Sequence, residues 1–224
     1  MTGPNELIER ARELGVKLRE QSAQRLLAYL DAVLEENQHI NVTAIRDREE
    51  AIPRHLLDSL TLVQVWESLN QEHSPGNILD LGTGGGFPAA PLAVAWPASR
   101  VVAIDGTGKK IALVQRCLQQ AEILNVEPIQ SRGADLPKTH PEMRQHFDLA
   151  VARAVGAADK LLRELTPLVA SGGTILLMKG AEIPREKLEA AQTTAEKLNL
   201  VIHPKKLIEV SGQDPRSVLV FQRR

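Results

Sequence analysis

The chain has 224 residues, of which 43% are hydrophobic and 25% charged, and its formal net charge is −1. That length supports one substantial core with at most a small appended piece, and those proportions exclude wholesale disorder. The near-neutral balance excludes strong global attraction to nucleic acid but leaves room for a local basic patch. A single cysteine, Cys117, excludes an intrachain disulfide and reads as a small buried hydrophobe in a reducing compartment. The first residues lack the basic and apolar regions of a signal peptide, and no run approaches the roughly 20 apolar residues of a membrane span. The expectation is a soluble, cytoplasmic protein that touches no membrane.

The first 69 residues hold no convincing strand. Leu7, Ile8, Ala11 and Leu14 recur at helical spacing, with Gly15 placed to close the helix. Leu26, Leu27, Leu30, Val33 and Leu34 form a second apolar stripe. After an irregular link through Asn41-Val42-Thr43-Ala44-Ile45, Leu56, Leu57, Leu60, Leu62 and Val63 predict a third helix, with Pro53 in its first turn, where a missing N–H costs little. Three such helices make a cap and would struggle to fold alone. The polar stretch 70–77, with its Pro75-Gly76 turn signal, separates a helical cap (1–75) from a larger domain (76–224).

Beyond that link, strand and helix patterns alternate. Strands are predicted at 78–81, 101–104, 127–130, 148–151 and 174–178, and helices at 88–95, 109–124, 159–169 and 185–198. Two final strands, 201–207 and 217–221, have no helix between them. The alternation predicts an α/β fold of the Rossmann-like doubly wound kind. Its sheet is mostly parallel, with right-handed crossovers and a C-terminal antiparallel hairpin at one edge.

The foremost candidate for a ligand cradle follows the first strand: Ile78-Leu79-Asp80-Leu81, then Gly82, Gly84, Gly85 and Gly86. Glycine permits positive φ and close approach of a ligand to the backbone, and so many glycines in one turn argue against a turn that holds nothing. A P-loop is excluded because no Gly-Lys-Ser/Thr follows. A dinucleotide fingerprint places its third glycine on Phe87, whose ring opposes close helix–strand packing. Asp80 is also ill-suited to a pyrophosphate. It suits a ligand with a positive group, such as the amino group or sulfonium of S-adenosylmethionine. Asp105 ends the next strand, where a carboxylate can accept both ribose hydroxyls or cap the following helix.

Four blocks in this order resemble one known family: Asn41-Val42-Thr43-Ala44-Ile45, His55-Leu56-Leu57-Asp58-Ser59-Leu60, Asp80-Leu81-Gly82-Thr83-Gly84-Gly85-Gly86-Phe87-Pro88 and Ala152-Arg153-Ala154-Val155. The chain is similar, from about Leu26 to its C-terminus, to the bacterial 16S ribosomal RNA guanine-N7 methyltransferases, the glucose-inhibited division protein B family. It departs from the family at Ala89, where glycine is usual, and at Gly106-Thr107, where a serine follows the ribose-binding acid. The resemblance implies a class I methyltransferase fold and methyl transfer from S-adenosylmethionine to N7 of a guanine in 16S ribosomal RNA of the 30S subunit. No metal is implied, and a monomer is expected.

On this reading Gly82, Gly84 and Gly86 give backbone approach to the cofactor and Phe87 forms a wall. Asp105, with Gly106 and Thr107, holds the ribose, and Gly133 and Ala134 lie beside the adenine. By resemblance Arg153 faces the cofactor and the target base. Asn41, Arg54, His55, Asp58 and Ser59 form a second cluster on the cap, from which Asn41 and His55 join Arg153 as candidate catalytic residues. The N7 lone pair exists before attack, so positioning and electrostatics suffice without a general base. The six histidines lack the spacing of zinc ligands. Lys109, Lys110, Arg116, Arg132, Lys160, Arg163, Lys205 and Lys206 are candidates for phosphate contacts. With only 3% aromatic residues, single-strand stacking is not indicated. Alternatives are a methyltransferase of this fold acting on a small molecule or protein, a nicotinamide-dependent oxidoreductase, disfavoured by Asp80 and Phe87, and a ribosome-binding protein that has lost catalysis.

Overall fold

A computed structural model of the chain describes residues 1–70, 73–210 and 215–224, so part of the link expected at 70–77 lies outside the described residues. Helix α1 (Pro4–Glu13) ends as its sequence implies. Gly15 takes φ +78°, its N–H donates to Arg12 O, and the Val16 N–H reaches Ala11 O, the paired bonds of a Schellman closure. Helix α2 (Glu20–Glu36) buries Leu26, Leu27, Tyr29, Leu30 and Val33.

Helix α3 (Arg48–Ala51) starts at Asp47, whose side chain accepts the Glu50 N–H. It runs through a π-helical turn (Ile52–Leu57) into α4 (Asp58–Asn70). The expected first-turn place of Pro53 is therefore corrected. The helix begins earlier, and Pro53 sits in the π turn, where the Asp58 N–H reaches back to Pro53 O. A proline ring crowds the carbonyl four residues before it, and widening the turn to i→i+5 relieves that crowding.

The rest of the chain alternates as expected: β1 (Asn77–Leu81), α5 (Ala89–Ala95), β2 (Arg100–Asp105), α6 (Gly108–Gln120), β3 (Val126–Gln130), α7 (Leu136–Thr139), β4 (Phe147–Arg153), α8 (Ala158–Leu165), β5 (Val169–Gly180), α9 (Arg185–Lys197), β6 (Leu200–Ile202), β7 (Lys206–Ile208) and β8 (Arg216–Arg223). The sheet order is β3-β2-β1-β4-β5-β8-β6, with β7 also paired to β8. Strands β1 to β5 pair in parallel and β8 runs antiparallel between β5 and the β6/β7 edge.

Three boundaries differ from expectation. Helix α6 stops at Gln120 because Glu122 takes φ +54° and the Ile123 N–H turns back to Leu118 O. Helix α8 ends at Leu165, and β5 already begins at Val169. The strand expected at 201–207 is two short pieces, interrupted at Pro204, which has no N–H for the ladder. The short α7, with the 3-10 turn Pro141–Met143 after it, was not expected.

Period-two alternation divides the core. Ile78, Leu149, Val151, Leu176, Val218 and Val220 face one side, where α1 to α6 pack. Leu79, Leu81, Ala150, Ile175, Leu177, Leu219 and Phe221 face the other, with α7 to α9. The cap helices thus share one continuous apolar cluster with α5, α6 and the sheet.

Candidate active site

The glycine turn is lashed to the neighbouring strand: the Gly82 and Thr83 N–H groups both donate to Ile104 O, at 2.8 and 2.9 Å. Gly82, Gly84 and Gly86 all have positive φ, +74°, +57° and +84°. Their surroundings separate their roles. A Cβ on Gly82 would strike the Val155 methyls at 2.9 Å, and one on Gly86 would run into the Tyr29 hydroxyl. A Cβ on Gly84 would meet only Gly82 O, at 4.0 Å. Two of the glycines therefore serve close packing, and Gly84 leaves its space open.

Asp80 is fully buried beneath this turn. One carboxylate oxygen accepts the Ala89 N–H at 3.1 Å, fixing the start of α5. Burial raises its pKa to about 6, against the opposing pull of the Thr83 hydroxyl and the Ala89 N–H. Beyond that pull from Thr83, neither the other Asp80 oxygen nor the Thr83 hydroxyl, both buried, has a partner among the described residues.

Asp105 joins two strand ends. It accepts the Gly84 N–H at 3.2 Å and the Thr107 N–H at 2.8 Å, and Lys110 Nζ lies 3.9 Å away. Thr107, not Asp105, is the N-cap of α6. Gly106 and Thr107 are exposed beside it. Gly133 is buried, and a Cβ there would meet Glu164 Oε2 at 2.5 Å and Leu81 Cδ1 at 2.7 Å, so the loop after β3 lies against the end of β1. Ala134 is exposed next to it. Gly82, Gly84, Asp105, Gly106, Thr107, Gly133 and Ala134 thus gather at the carboxyl ends of β1, β2 and β3, where an open α/β sheet binds its ligands.

The cap supplies the other wall. Arg153, at the end of β4, donates from Nη1 to Arg54 O and to Asp58 Oδ2, each at 2.9 Å, and from Nη2 to His55 Nδ1 at 3.4 Å. A guanidinium is donor-only, so His55 Nδ1 carries the lone pair and Nε2–H donates to Thr43 Oγ1, at 2.8 Å. Burial, then the nearby Arg153 charge, lowers the His55 pKa to about 4, which keeps the ring neutral at physiological pH. With both nitrogens engaged, His55 has no free lone pair to act as a base. Its ring stacks on Phe87 at 4.8 Å with 14° between planes, Tyr29 meets the Phe87 edge at 5.6 Å, and Arg153 Cζ lies 6.0 Å from the Phe87 centroid. Phe87 is thus buried between cap and turn, a hub more than an exposed wall.

Asn41 is exposed and accepts from Arg46 at 3.4 Å; among the described residues it makes no hydrogen bond to His55 or Arg153. Thr43 is the member of that loop that reaches His55. Ser59 is buried, and its hydroxyl donates to His55 O within the helix, so it braces the π turn from inside. The unpredicted Asn37 shapes the loop: its Oδ1 accepts the Val42 and Thr43 N–H groups and its Nδ2 donates to Thr43 O.

A cavity of about 490 Å³ opens between cap and sheet, lined by Arg54, His55, Asp58, Arg153, Lys179 and Arg216 among others. Asp58 is buried and shared: Arg216 Nε lies 3.3 Å from its second oxygen. Lys179 Nζ donates to Val155 O and Gly156 O, both at 2.8 Å, and so holds the loop after β4, where Ala154 takes φ +54°. None of the eight cations expected at phosphates lines this cavity. Arg116, for example, is bound by both oxygens of Glu36. Lys179 and Arg216 escaped sequence reading because the order β4-β5-β8, not sequence spacing, brings them beside Arg153.

A family model described as rRNA small subunit methyltransferase G matches residues 22–212. The protein named Ribosomal RNA small subunit methyltransferase G from Chloroflexus aggregans is 33% identical over 225 residues, covering 100% of this chain and 92% of its own. Its namesake from Syntrophotalea carbinolica is 33% identical over 222 residues, covering 98% of each. Among solved structures, Aeropyrum pernix fibrillarin in complex with natively bound S-adenosyl-L-methionine aligns with a TM-score of 0.58 at 15% identity over 75% of each chain. Precorrin-6y C5,15-methyltransferase from Geobacter metallireducens gives 0.54 at 13% identity, over 72% of this chain and 87% of its own. At those identities the structures establish the shared fold alone.

Proposed function

Since the chain belongs to the rRNA small subunit methyltransferase G family, we propose that it transfers a methyl group from S-adenosylmethionine to N7 of a guanine in the 16S ribosomal RNA of the small subunit. The observation that carries this reading is the extent of the family match. Residues 22–212 take in the cap loop, the π turn, the glycine turn, Asp105 and Arg153 together.

The residues present suit the cofactor. The space over Gly84 is open, and the Asp105 carboxylate borders it through its bond to the Gly84 N–H. Gly82, Gly84, Asp105, Gly106, Thr107, Gly133 and Ala134 would hold it, with Asp105 placed for ribose hydroxyls. When bound, S-adenosylmethionine supplies an electrophilic methyl group on a cationic sulfur. The purine N7 brings its own lone pair, so the chain has no proton to remove before attack. That agrees with a His55 whose nitrogens are both occupied. His55 and Asp58 act as positioning residues: they hold Arg153 at the mouth of the cavity, where its guanidinium edge can donate to a guanine acceptor.

Small subunits lacking the modification, incubated with tritiated S-adenosylmethionine, test the reading. The expected result is label at one guanine. Cofactor binding without label in the RNA would instead favour a methyltransferase of another substrate, or a ribosome-binding protein without catalysis.

A further inference from the structure

The main cavity does not end at Lys179. A second cavity of about 270 Å³ shares Gly156, Lys179 and Gly180 with it and continues past Ala157, Ala158, Ile183, Pro184 and Lys187. The two form one trough along the carboxyl ends of β4 and β5. Its charge is lopsided. Arg54, Arg153, Lys179 and Arg216 line the first part against the single carboxylate Asp58, and Lys179 and Lys187 line the second against Glu182.

Among the described residues neither Lys179 nor Lys187 has a carboxylate within ion-pair distance. Burial and then the charge of Lys187 both lower the Lys179 pKa, so the two ammonium groups feel each other. Two helices also begin at this cavity. Ala157 is the N-cap of α8 and Pro184 that of α9, and neither has a side chain capping its first turn. Their partial positive ends add to the lysines, and the first-turn carboxylates Asp159 and Glu186 offset part of that field, so Lys179 and Lys187 carry the attraction for an anion.

We propose that the second cavity seats a backbone phosphate of the RNA next to the target nucleotide, with Lys187 and Lys179 as its cations. This rests on the ribosomal RNA reading above and adds to it a path for the strand. The trough runs away from the cofactor crevice: Asp105 and Lys179 end β2 and β5, three strand spacings apart, or roughly 14 Å. An anion at Lys187 is therefore not the cofactor's carboxylate, and a polyanion whose target base enters the first cavity leads its chain into the second.

The test is binding of the full chain to unmodified small subunits by filter retention across a KCl series. Lys187→Gln is expected to weaken binding several-fold at low salt and to reduce the slope of log K against log salt by about one. Lys187→Arg is expected to retain that slope, and S-adenosylmethionine affinity by calorimetry to stay unchanged in both. Lys197→Gln, at the far end of α9, is expected to leave the slope alone. An unchanged slope in Lys187→Gln, or an equal fall in Lys197→Gln, overturns the seat while a wild type that still methylates the subunits leaves the parent reading intact. A wild type that neither binds nor methylates them overturns both.

Discussion

Arg153 Nη1 lies 2.9 Å from Asp58 Oδ2 and so ties the end of the fourth strand to the start of the last cap helix. Arg216 takes the other oxygen of the same carboxylate at 3.3 Å. Asp58 is almost wholly buried, while the two guanidiniums keep 16% and 27% of their side-chain exposure. Asp58→Ala leaves two cations facing one vacated site. It is expected to cost about 2–3 kcal/mol, less than a fully buried pair because both arginines retain some solvent. Chemical denaturation measures it; a loss near zero would mean that the cap is held by apolar packing alone.

Arg153→Lys keeps the charge but loses the fork that reaches Arg54 O, Asp58 and His55 together. Single-turnover methylation of small subunits is expected to slow by at least about tenfold while cofactor affinity moves little. Equal loss in both would place Arg153 at the cofactor instead of the target base.

Gly84→Ala and Gly86→Ala should part company. At Gly86 a Cβ meets Tyr29 and φ is +84°, so the substitution is expected to destabilise by about 2–4 kcal/mol. At Gly84 only the positive φ opposes it, about 1–2 kcal/mol, yet the methyl fills the space left for the cofactor. Thermal melts with and without S-adenosylmethionine separate the two: Gly84→Ala should melt a few degrees below wild type, less far than Gly86→Ala, and gain nothing from the ligand.

Asp105→Ala is expected to weaken S-adenosylmethionine binding by roughly ten- to hundredfold. Losing the bonds to Gly84 and Thr107 should cost only about 1–2 kcal/mol of stability. Unchanged affinity by calorimetry would remove Asp105 from the site.

Two buried groups pull the pH dependence of stability in opposite directions. The folded His55 pKa of about 4 lies below its ordinary 6.5, so the unfolded chain binds the extra proton. The His55 contribution is then complete above about pH 6.5 and is lost as pH falls towards 4. The folded Asp80 pKa of about 6 lies above its ordinary 3.8, so the Asp80 contribution is present at low pH and is lost as pH rises from about 4 to 6. Asp80→Asn should therefore gain melting temperature relative to wild type as pH rises through that window, and His55→Gln should lose ground to wild type over 4 to 6.5. A constant difference in either variant would contradict its assignment.

The parallel sheet was legible because Ile78-Leu79, Val101-Val102 and Leu176-Leu177 are apolar on both faces, as doubly covered strands are, and Gly15 marked its helix end by the one conformation that suits it. The glycine turn and Asp105 were legible because both follow predicted strands directly. What stayed hidden depends on sheet order. Nothing local in Lys179 or Arg216 says that β8 inserts beside β5 and brings both to the same cavity as Arg153. Loop detail was hidden too. Asn41 drew attention by its place in a motif, whereas Asn37, inside a helical pattern, is the side chain that shapes the loop and lets Thr43 reach His55.

The π turn at Ile52–Leu57 amounts to an α-helix carrying one extra residue, and the surplus falls between Asp47, which starts the helix, and Asp58, which anchors it to the sheet. The phase of Arg54 and His55 about the helix axis is thereby set by chain length as well as by side-chain identity. Removing one residue from the turn would return it to α geometry with the helix before and after it close to its present phase, so the displacement would fall on the residues inside the turn, Arg54 and His55 among them. His55 would then swing off the Phe87 ring with no chemical group altered.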